Sequence, residues 1–432
     1  MAIVAAVVFG LRNKASAPSP PSQAAPAKAQ VLVSTTGNDS ACVRGDSSKP
    51  CLTFERAYKL ARPGDVVEIA AGSYPTQLIS HDPSKDRSTR RVVFRPAPGA
   101  VVVVSGKLDI GRRVSRTDYV YGPRHVEFQD MRLNYIHTSF GAEDVVFHGV
   151  ESYRVVISCG KDISYIGGEI GGDLDTLSQQ NTCDYTGAPH GPAQNVLFDG
   201  VYWHDEGVSN EANHHECYAV FSLNVLTIRN SRFERCKDFD VFFKPQGSQP
   251  DLADVTIENN FFDAPIGTEC SYPPAIPICR AGSSSEALRL QAVTRPCRNI
   301  LIRNNSFYNS KYVIDASECT TVSNFVVTGN IINNMTDFVC KGYTSVGIQI
   351  SYDDASMGTP CGTGSVVADP KFVDPNDTGG PDGSSTMNLH LQVNSPAIDL
   401  ITDPSDCGLR RDIDGDSRPQ RSPCDSGADE LP

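Results

Sequence analysis

The sequence predicts an all-β fold: a right-handed parallel β-helix, built as one solenoid, with a helical cap at its N-terminal end and a loop-rich cap at its C-terminal end. Two observations predict it. A short phrase recurs in which apolar and variable residues alternate before an Asn, Gly or Asp, and none of its copies shows the 3.6-residue period of a helical repeat. Repetition at this scale indicates structural units stacked on one another.

Each copy of the phrase reads as one strand of one rung. Alternation places two apolar side chains on the same face of a strand, where they can enter a shared core. Starts lie between 18 and 45 residues apart, so the residues beyond the strand are expected to form loops of variable length. Parallel crossovers favour the right hand. The clear copies begin at Val196, Leu226, Val255, Ile300 and Phe325, and weaker copies begin at Val126, Val145 and Ile163.

The Asn or Gly of each phrase marks a corner. These residues tolerate the left-handed backbone that a sharp bend requires. Asn230, Asn259 and Asn304 fall at equivalent positions in three copies, and we expect their amides to stack as a ladder.

The chain divides into three parts on this reading. Residues 31–365 form the β-helix, and residues 366–432 form the C-terminal cap. Residues 1–30 precede the fold. They begin with an apolar run over residues 1–11, which is too short to span a bilayer, and end in a Pro- and Ala-rich linker. The run is interpreted either as a secretory signal or as the remnant of a membrane anchor.

The N-terminal cap is predicted as a short amphipathic helix. Phe54, Ala57, Tyr58 and Ala61 have helical spacing, and Thr53 is a suitable N-cap. A Pro-Gly turn and an apolar strand follow the helix, which therefore closes the first rung.

Net charge and cysteine content limit the possible partners and the cellular compartment. The net charge of −13 argues against nucleic acid or an anionic membrane as a partner, and we expect a monomer that binds a polysaccharide and has no membrane-spanning partner. Fourteen cysteines without zinc-site spacing predict disulfides and a secreted or cell-surface protein. The expected pairs are Cys42–Cys51, Cys159–Cys183, Cys340–Cys361 and Cys407–Cys424, with Cys217 and Cys236 on adjacent rungs.

Both ends of the fold resemble a known group. Residues 37–39 and 63–74 look like the opening of secreted right-handed β-helix repeat proteins of the pectate-lyase-like superfamily. Residues 369–375, 389–399, 412–419 and 425–430 resemble the C-terminal segment, of the choice-of-anchor-Q type, that is often found in them. The resemblance implies the fold and secretion. It does not imply one reaction, because this scaffold carries lyases, hydrolases, epimerases and proteins without catalytic activity.

A calcium loop is a further hypothesis for the C-terminal segment. Asp412, Asp414 and Asp416 alternate as in calcium-binding loops, but the twelfth position, which an EF-hand fills with Glu, is Pro423. Capping turns are the alternative reading.

A groove is expected on the outer face of the middle rungs. Long insertions over residues 171–194, 205–216 and 264–285 would form its walls. Strand alternation predicts outward side chains on neighbouring rungs, and together these would form one polar strip. Its members are Glu216, Asp240, Lys244, Arg289 and Asp315.

Two catalytic chemistries fit such a strip. In a lyase acting on a uronic acid, Lys244 is the base and Arg289 neutralises the carboxylate; an epimerase begins with the same proton abstraction. In a hydrolase, Asp240 and Asp315 lie two rungs apart, roughly 9.6 Å along the axis, close to the separation of an inverting pair. Predicted substrate-binding residues are His214, His215, Glu216, Trp203 and Gln291. The alternatives are a place in the core for Trp203 and a structural or surface role for the two histidines.

The leading functional hypothesis is a carbohydrate-active protein that cleaves an extracellular polysaccharide. The alternative is a non-catalytic glycan-binding or structural protein of the cell surface. A ladder of salt bridges on a solvated sheet would explain the same charges without a site.

Overall fold

Parallel strands wind the chain into a coil with three faces. The computed structural model describes residues 28–114, 118–139, 141–171, 178–180, 192–206, 216–236, 239–245, 251–263, 271–272, 276–277, 286–290, 295–308, 312–314, 318–333, 344–345, 350–352, 365–375, 387–420 and 423–431. Over residues 66–314 each rung contributes a strand to each face, and the strands of a face pair in parallel from one rung to the next. The predicted parallel β-helix is confirmed.

The first face is a 12-stranded sheet. With strands numbered along the chain, it contains β1 (Val31–Val33), β2 (Val66–Ile69), β5 (Val92–Pro96), β9 (Arg124–Gln129), β11 (Ala142–His148), β14 (Gly160–Ile166), β17 (Gln194–Asp199), β20 (Asn224–Arg229), β23 (Leu252–Glu258), β28 (Arg295–Arg303), β31 (Cys319–Thr328) and β33 (Thr344–Ser345).

The second and third faces are joined, because β6 (Val102–Ile110) and β10 (Arg132–Thr138) continue from one face into the other. The second face also contains β3 (Gly72–Tyr74), β12 (Glu151–Ser152), β15 (Glu169–Gly171), β18 (Tyr202–Glu206), β21 (Arg232–Cys236), β24 (Phe261–Asp263), β29 (Ser306–Tyr308), β32 (Ile331–Asn333), β34 (Ile350–Tyr352) and β35 (Val366–Val367).

The third face completes each rung. It contains β4 (Gln77–Ile79), β13 (Arg154–Ile157), β16 (Gln179–Gln180), β19 (Glu216–Val220), β22 (Phe239–Phe243), β27 (Glu286–Leu290) and β30 (Tyr312–Ile314). Three small antiparallel pairs lie outside the coil: β7 (Arg112–Arg113) with β8 (Tyr119–Val120), β25 (Ser271–Tyr272) with β26 (Ile276–Pro277), and β36 (Phe372–Asp374) with β37 (Asn388–Leu391).

Stacked aromatic rings fill the inside of the coil. Behind the first face, neighbouring ring centroids lie 4.7 to 5.3 Å apart along one column. The second column, behind the second face, begins with Trp203, whose ring lies 5.6 Å from that of Phe233. Such contacts add to the burial of the rings themselves. The first column is Phe94, Phe128, Phe147, Tyr165 and Phe198, and the second is Trp203, Phe233, Phe262 and Phe307.

The corner between the first and second faces has the left-handed backbone that the sequence predicts. Asn230, Asn259 and Asn304 have φ values of 51°, 62° and 51°. The amide of Asn259 donates to Oδ1 of Asn230 at 2.6 Å, as expected for a ladder. The ladder does not continue to Asn304, because that amide donates instead to the carbonyl of Cys407 in the C-terminal segment.

A longer ladder forms one residue further along, inside the coil. Asn260, Asn305 and Asn330 are completely buried. Nδ2 of Asn260 donates to Oδ1 of Asn305 at 2.9 Å, and Nδ2 of Asn305 donates to Oδ1 of Asn330 at 3.0 Å. Each of the two acceptors also receives a backbone N–H from the preceding rung, so the ladder ties rungs together where the core has no apolar side chain.

The N-terminal cap is the predicted helix, α1 (Phe54–Leu60). Oγ1 of Thr53 accepts the N–H of Arg56, as an N-cap does. Phe54 and Tyr58 are fully buried against the first rungs. No helix among the described residues is long and apolar enough to cross a membrane.

The C-terminal segment packs along the side of the coil. Leu389 and Leu391 join a second apolar cluster with Phe261 and Ile331, which point outward from the second face. The buried guanidinium of Arg418 donates to Oδ1 of Asn259 at 3.0 Å, and this contact joins residues 159 positions apart. The outer surface of the later rungs is therefore covered from β24 to β32.

Disulfides join neighbouring parts of the chain. Cys42–Cys51 and Cys407–Cys424 form as predicted, and Cys217–Cys236 joins two adjacent rungs. Cys297–Cys319, which the sequence analysis did not pair, also joins adjacent rungs. Cys159 is disulfide-bonded, but Cys183, Cys340 and Cys361 lie outside the described residues.

We expect the variant N305A to lose several kcal/mol of folding free energy. The substitution removes both sides of the buried ladder, and each buried polar group left unpaired costs about 1–3 kcal/mol. Chemical denaturation measures the loss, with N224A as the control because Asn224 is exposed on the first face. Equal stabilities of the two variants would contradict a structural role for the ladder.

Candidate active site

An open groove lies on the outer surface of the second face, over the rungs upstream of the C-terminal segment. Its volume is about 330 Å³. Polar side chains and one tyrosine dominate its surface, a composition suited to a hydrated ligand such as a sugar. The lining residues are Val103, Arg132, Asn134, Glu151, Ser152, Tyr153, Glu169 and Gly171.

Strand register brings the charged groups of the groove together. Arg132, Glu151 and Glu169 are Cα partners on three consecutive rungs. In the next position of those rungs, Leu133 and Ile170 point into the core. Because side chains alternate along a strand, the three charged groups point outward as one row, with adjacent strands about 4.8 Å apart.

The two carboxylates of this row have different partners. Oε2 of Glu151 lies 2.5 Å from Nε of Arg132. Oε1 of Glu169 lies 2.8 Å from Nε2 of His204. Both carboxylate side chains are 49 % exposed, so a ligand in the groove can reach them. The row thus holds one carboxylate beside a permanent cation and one beside a group that can exchange protons.

A glycine makes room for the backbone of His204. Gly171 is the register partner of His204, and its φ of 154° lies in the region that side chains rarely adopt. A Cβ at this position would lie 1.8 Å from the carbonyl oxygen of His204. The absence of a side chain at Gly171 therefore lets the two strands approach closely at His204. The His204 imidazole contacts Glu169 and stacks on the ring of Tyr202, with 4.4 Å between the ring centres.

The groove ends where the C-terminal segment begins. Arg232 follows Tyr202 in the outward row, and its guanidinium lies 3.7 Å from a carboxylate oxygen of Asp414. The next member, Phe261, meets the ring of His390 edge-on at 5.2 Å. Among the described residues, the part of the second face upstream of Arg232 is open for a ligand.

The strip predicted from sequence lies on a different face. Arg289 is the register partner of Phe242 on the third face, and its guanidinium lies 3.4 Å from Oε1 of Glu318. Lys244 comes directly after β22, the strand that contains Phe242. It is partly exposed, and its Nζ lies 5.8 Å from the centre of the Phe242 ring. Asp315, His214, His215 and Gln291 lie outside the described residues, and the catalytic roles given to Lys244 and Arg289 stay predictions.

Contrary to the prediction, Asp240 does not line an open surface. Its side chain is completely buried, and neither carboxylate oxygen has a hydrogen-bond partner among the described residues. Burial and the neighbouring charge of Asp263 raise its pKa well above the usual value. Alternation along β22 predicts which side of the strand the Asp240 side chain points to. It does not predict what packs over that side, so the predicted exposure of Asp240 was wrong.

Trp203 and Glu216 are also buried, contrary to the expectation that they contact substrate. Trp203 is completely enclosed because it occupies the inward position of β18, between the core aromatic rings. Glu216 is 1 % exposed at the start of β19. Neither can touch a polysaccharide in this conformation.

The aspartates of the C-terminal segment form a capping turn. Oδ1 of Asp412 accepts the N–H groups of Asp414 and Asp416 at 3.0 and 2.8 Å, and Oδ2 accepts the N–H of Glu430. These bonds agree with the capping-turn reading, and the calcium loop stays a hypothesis. Asp414 instead hydrogen-bonds His390, which together with Asp429 forms a group with ligand atoms within 4.8 Å of one another.

Sequence reasoning missed Glu151 and Glu169. Both stand one or two residues after a Gly corner of the weak repeats, directly before an inward residue. Aligning those weak copies on their corners would have placed the two carboxylates on adjacent rungs. The long insertions favoured a groove on the later rungs instead.

Three solved structures are similar to this one. A pectate lyase, Pel9A, is 14 % identical over 94 % of this chain and 98 % of its own, with a TM-score of 0.49. A rhamnogalacturonan lyase is 12 % identical over 85 % and 96 %, with a TM-score of 0.35. The alginate lyase AlyGC, of the PL6 family, is 12 % identical over 77 % and 54 %, with a TM-score of 0.28. No protein-family model and no curated protein sequence matches the chain.

We expect D240N to stabilise the protein more at pH 7 than at pH 4. A carboxyl whose pKa is raised by folding binds its proton more tightly in the native state, so stability falls as the pH rises above the unfolded pKa of about 3.9. An amide cannot ionise and removes that loss, which amounts to about 1.4 kcal/mol for each unit of pKa shift.

Thermal unfolding at the two pH values measures this difference. The control is D416N, since Asp416 is exposed on the C-terminal turn. If D240N and D416N changed the melting temperature alike at both pH values, Asp240 would be ionised in the folded protein.

Proposed function

We propose that this protein is a retaining glycoside hydrolase that acts on a neutral polysaccharide in the groove of the second face. The observation that carries the proposal is the adjacent-rung pairing of Glu151 and Glu169. Strands about 4.8 Å apart hold outward carboxylates close to the separation of about 5–5.5 Å that retaining enzymes use. The disulfides fit a site of action outside the cell.

The partners of the two carboxylates suit different roles. Glu151, beside the guanidinium of Arg132, is positioned as the nucleophile that attacks the anomeric carbon. Glu169, hydrogen-bonded to His204, is positioned to protonate the leaving oxygen and then to take a proton from the attacking water. His204 orients Glu169 and gives it a partner in either protonation state.

Charge favours hydrolysis over elimination in this groove. A lyase must neutralise the carboxylate of a uronic acid and supply a base, which requires cations at the site. The groove lining contains two glutamates and one arginine, and that arginine is already paired with Glu151. The excess of negative charge would repel a polyuronate and leaves a neutral chain as the better ligand.

Tyr153 and Asn134 supply the contacts that a sugar needs. The Tyr153 side chain is 53 % exposed at the edge of the groove, where its ring can stack on a pyranose face. Asn134 is partly exposed, and its amide also donates a hydrogen bond to the carbonyl of Ser105 at 3.0 Å.

We expect Tyr153→Ala to raise KM more than it lowers kcat, because the ring contacts the bound sugar and takes no part in the bond cleavage. Steady-state kinetics on the polysaccharide measures both constants.

The test is a screen of neutral and acidic polysaccharides with the wild-type protein and with E151Q and E169Q. We expect each variant to lose at least about 100-fold in hydrolysis rate, since it lacks its nucleophile or its proton donor. NMR of the first product should show that the anomeric configuration is retained.

The control for these variants is E143Q. Glu143 is partly exposed on the first face and pairs with Lys161, so its change removes one negative charge outside the groove. Hydrolysis that survives in E151Q and E169Q would overturn the proposal. Unsaturated products from a polyuronate, lost in K244A or R289A, would support the lyase predicted from sequence instead. Glycan binding without cleavage would favour the non-catalytic alternative.

A further inference from the structure

A second group of reactive side chains lies on the third face, around the corner from the groove. His137 stands between an acid and a hydroxyl: its Nδ1 lies 3.3 Å from Oδ1 of Asp109, and its Nε2 lies 3.1 Å from Oγ of Ser158. These are the contacts of a nucleophile, a base and an orienting acid.

Strand register builds this arrangement from three consecutive rungs. Asp109 in β6 and His137 in β10 are Cα partners and point outward, because Leu108, Ile110 and Ile136 beside them are buried in the core. Ser158 directly follows β13, and its N–H donates to the carbonyl of Thr138 at 2.8 Å. Ser158 therefore lies one rung on and two positions beyond Val156, the register partner of His137, so it points to the same side as the imidazole.

The hydrogen bonds define the state of each group. Because an ionised carboxylate only accepts, the Asp109 contact favours the tautomer with the proton on Nδ1, which leaves Nε2 as an acceptor for the hydroxyl of Ser158. Burial lowers the pKa of His137, and the hydrogen bond that its ring donates to Asp109 only partly offsets this. The ring is consequently neutral, as a general base must be.

Asp109 is held in its ionised form. Burial alone would raise its pKa, but hydrogen bonds from His137 and Lys107 outweigh that effect and lower it. Nζ of Lys107 lies 2.9 Å from the same carboxylate oxygen that faces the imidazole. An ionised acid in this place stabilises the imidazolium that forms when the base takes a proton.

The site is accessible and mechanically fixed. Ser158 is partly exposed, and the side chain of His137 is 16 % exposed. The next residue, Cys159, is disulfide-bonded, which anchors the backbone beside the hydroxyl. The ring of Tyr135 lies beside the imidazole, 6.3 Å between centres, with the cations of Lys107 and Arg154 over it at 4.9 and 5.0 Å.

We propose that Ser158, His137 and Asp109 form a catalytic triad that hydrolyses short-chain carboxylic esters, an activity separate from the glycoside hydrolysis of the groove. Oγ of Ser158 attacks the carbonyl carbon while its proton passes to Nε2 of His137. The bond to the alcohol oxygen then breaks, and the imidazolium returns the proton to the leaving alcohol. Water attacks the acyl-serine through the same base, and this releases the carboxylic acid and restores Ser158.

Two measurements on the intact protein test the triad. A fluorophosphonate reagent, which labels activated serines, should modify Ser158, as mass spectrometry of the peptides would show. Hydrolysis of 4-nitrophenyl acetate should fall at least about 100-fold in S158A, H137Q and D109N. The control is S164A, since Ser164 is a partly exposed serine in β14 on the first face.

The pH dependence of ester hydrolysis distinguishes a catalytic role of His137 from a structural one, because a structural residue would not set the pH at which the rate falls. The charged groups around His137 are Asp109, Lys107 and Arg154. With its pKa lowered, His137 should keep ester hydrolysis active until the pH falls below about 6.5, the usual histidine value. Labelling of Ser158 no greater than that of Ser164, or hydrolysis in S158A within about twofold of wild type, would overturn the proposal. Because the adduct is mapped on the wild-type protein, the labelling result holds even if a variant fails to fold.

Discussion

Register between rungs is the constraint on which the structure depends. Every rung must place an apolar side chain inward at the same position, or the aromatic columns and the inner amide ladder lose their alignment. The same condition gives each outward residue a fixed neighbour on the next rung. Glu151 beside Glu169, and Asp109 beside His137, are therefore consequences of core packing as much as of surface chemistry.

Left-handed corners make this register possible. At Asn230, Asn259 and Asn304 the chain turns within one residue, so the second strand of each rung starts in phase with the first. Length variation lies in the connections after the second face, as between Asp263 and Glu286, and after the third face, as between Gln180 and Gln194. The first two strands of a rung thus keep their positions, whatever the length of the loop that follows.

The sequence predicted the fold well because a repeated inward pattern carries that information. It predicted the corners, the capping helix and the disulfide between adjacent rungs at Cys217 and Cys236. The candidate site was harder to predict. Alternation indicates that Asp240 points outward, but only tertiary packing decides that it is buried, and the weak early repeats concealed the register of Glu151 and Glu169.

The side-on packing of the C-terminal segment has a consequence for synthesis on the ribosome. Phe261 and Ile331 belong to rungs that emerge well before Leu389 and Leu391, the residues that cover them. Those rungs expose an apolar stripe until residues 389–391 have been made and can pack on it. During that interval the nascent protein has exposed apolar surface. Chaperones can bind this surface, and aggregation can begin there if elongation stalls.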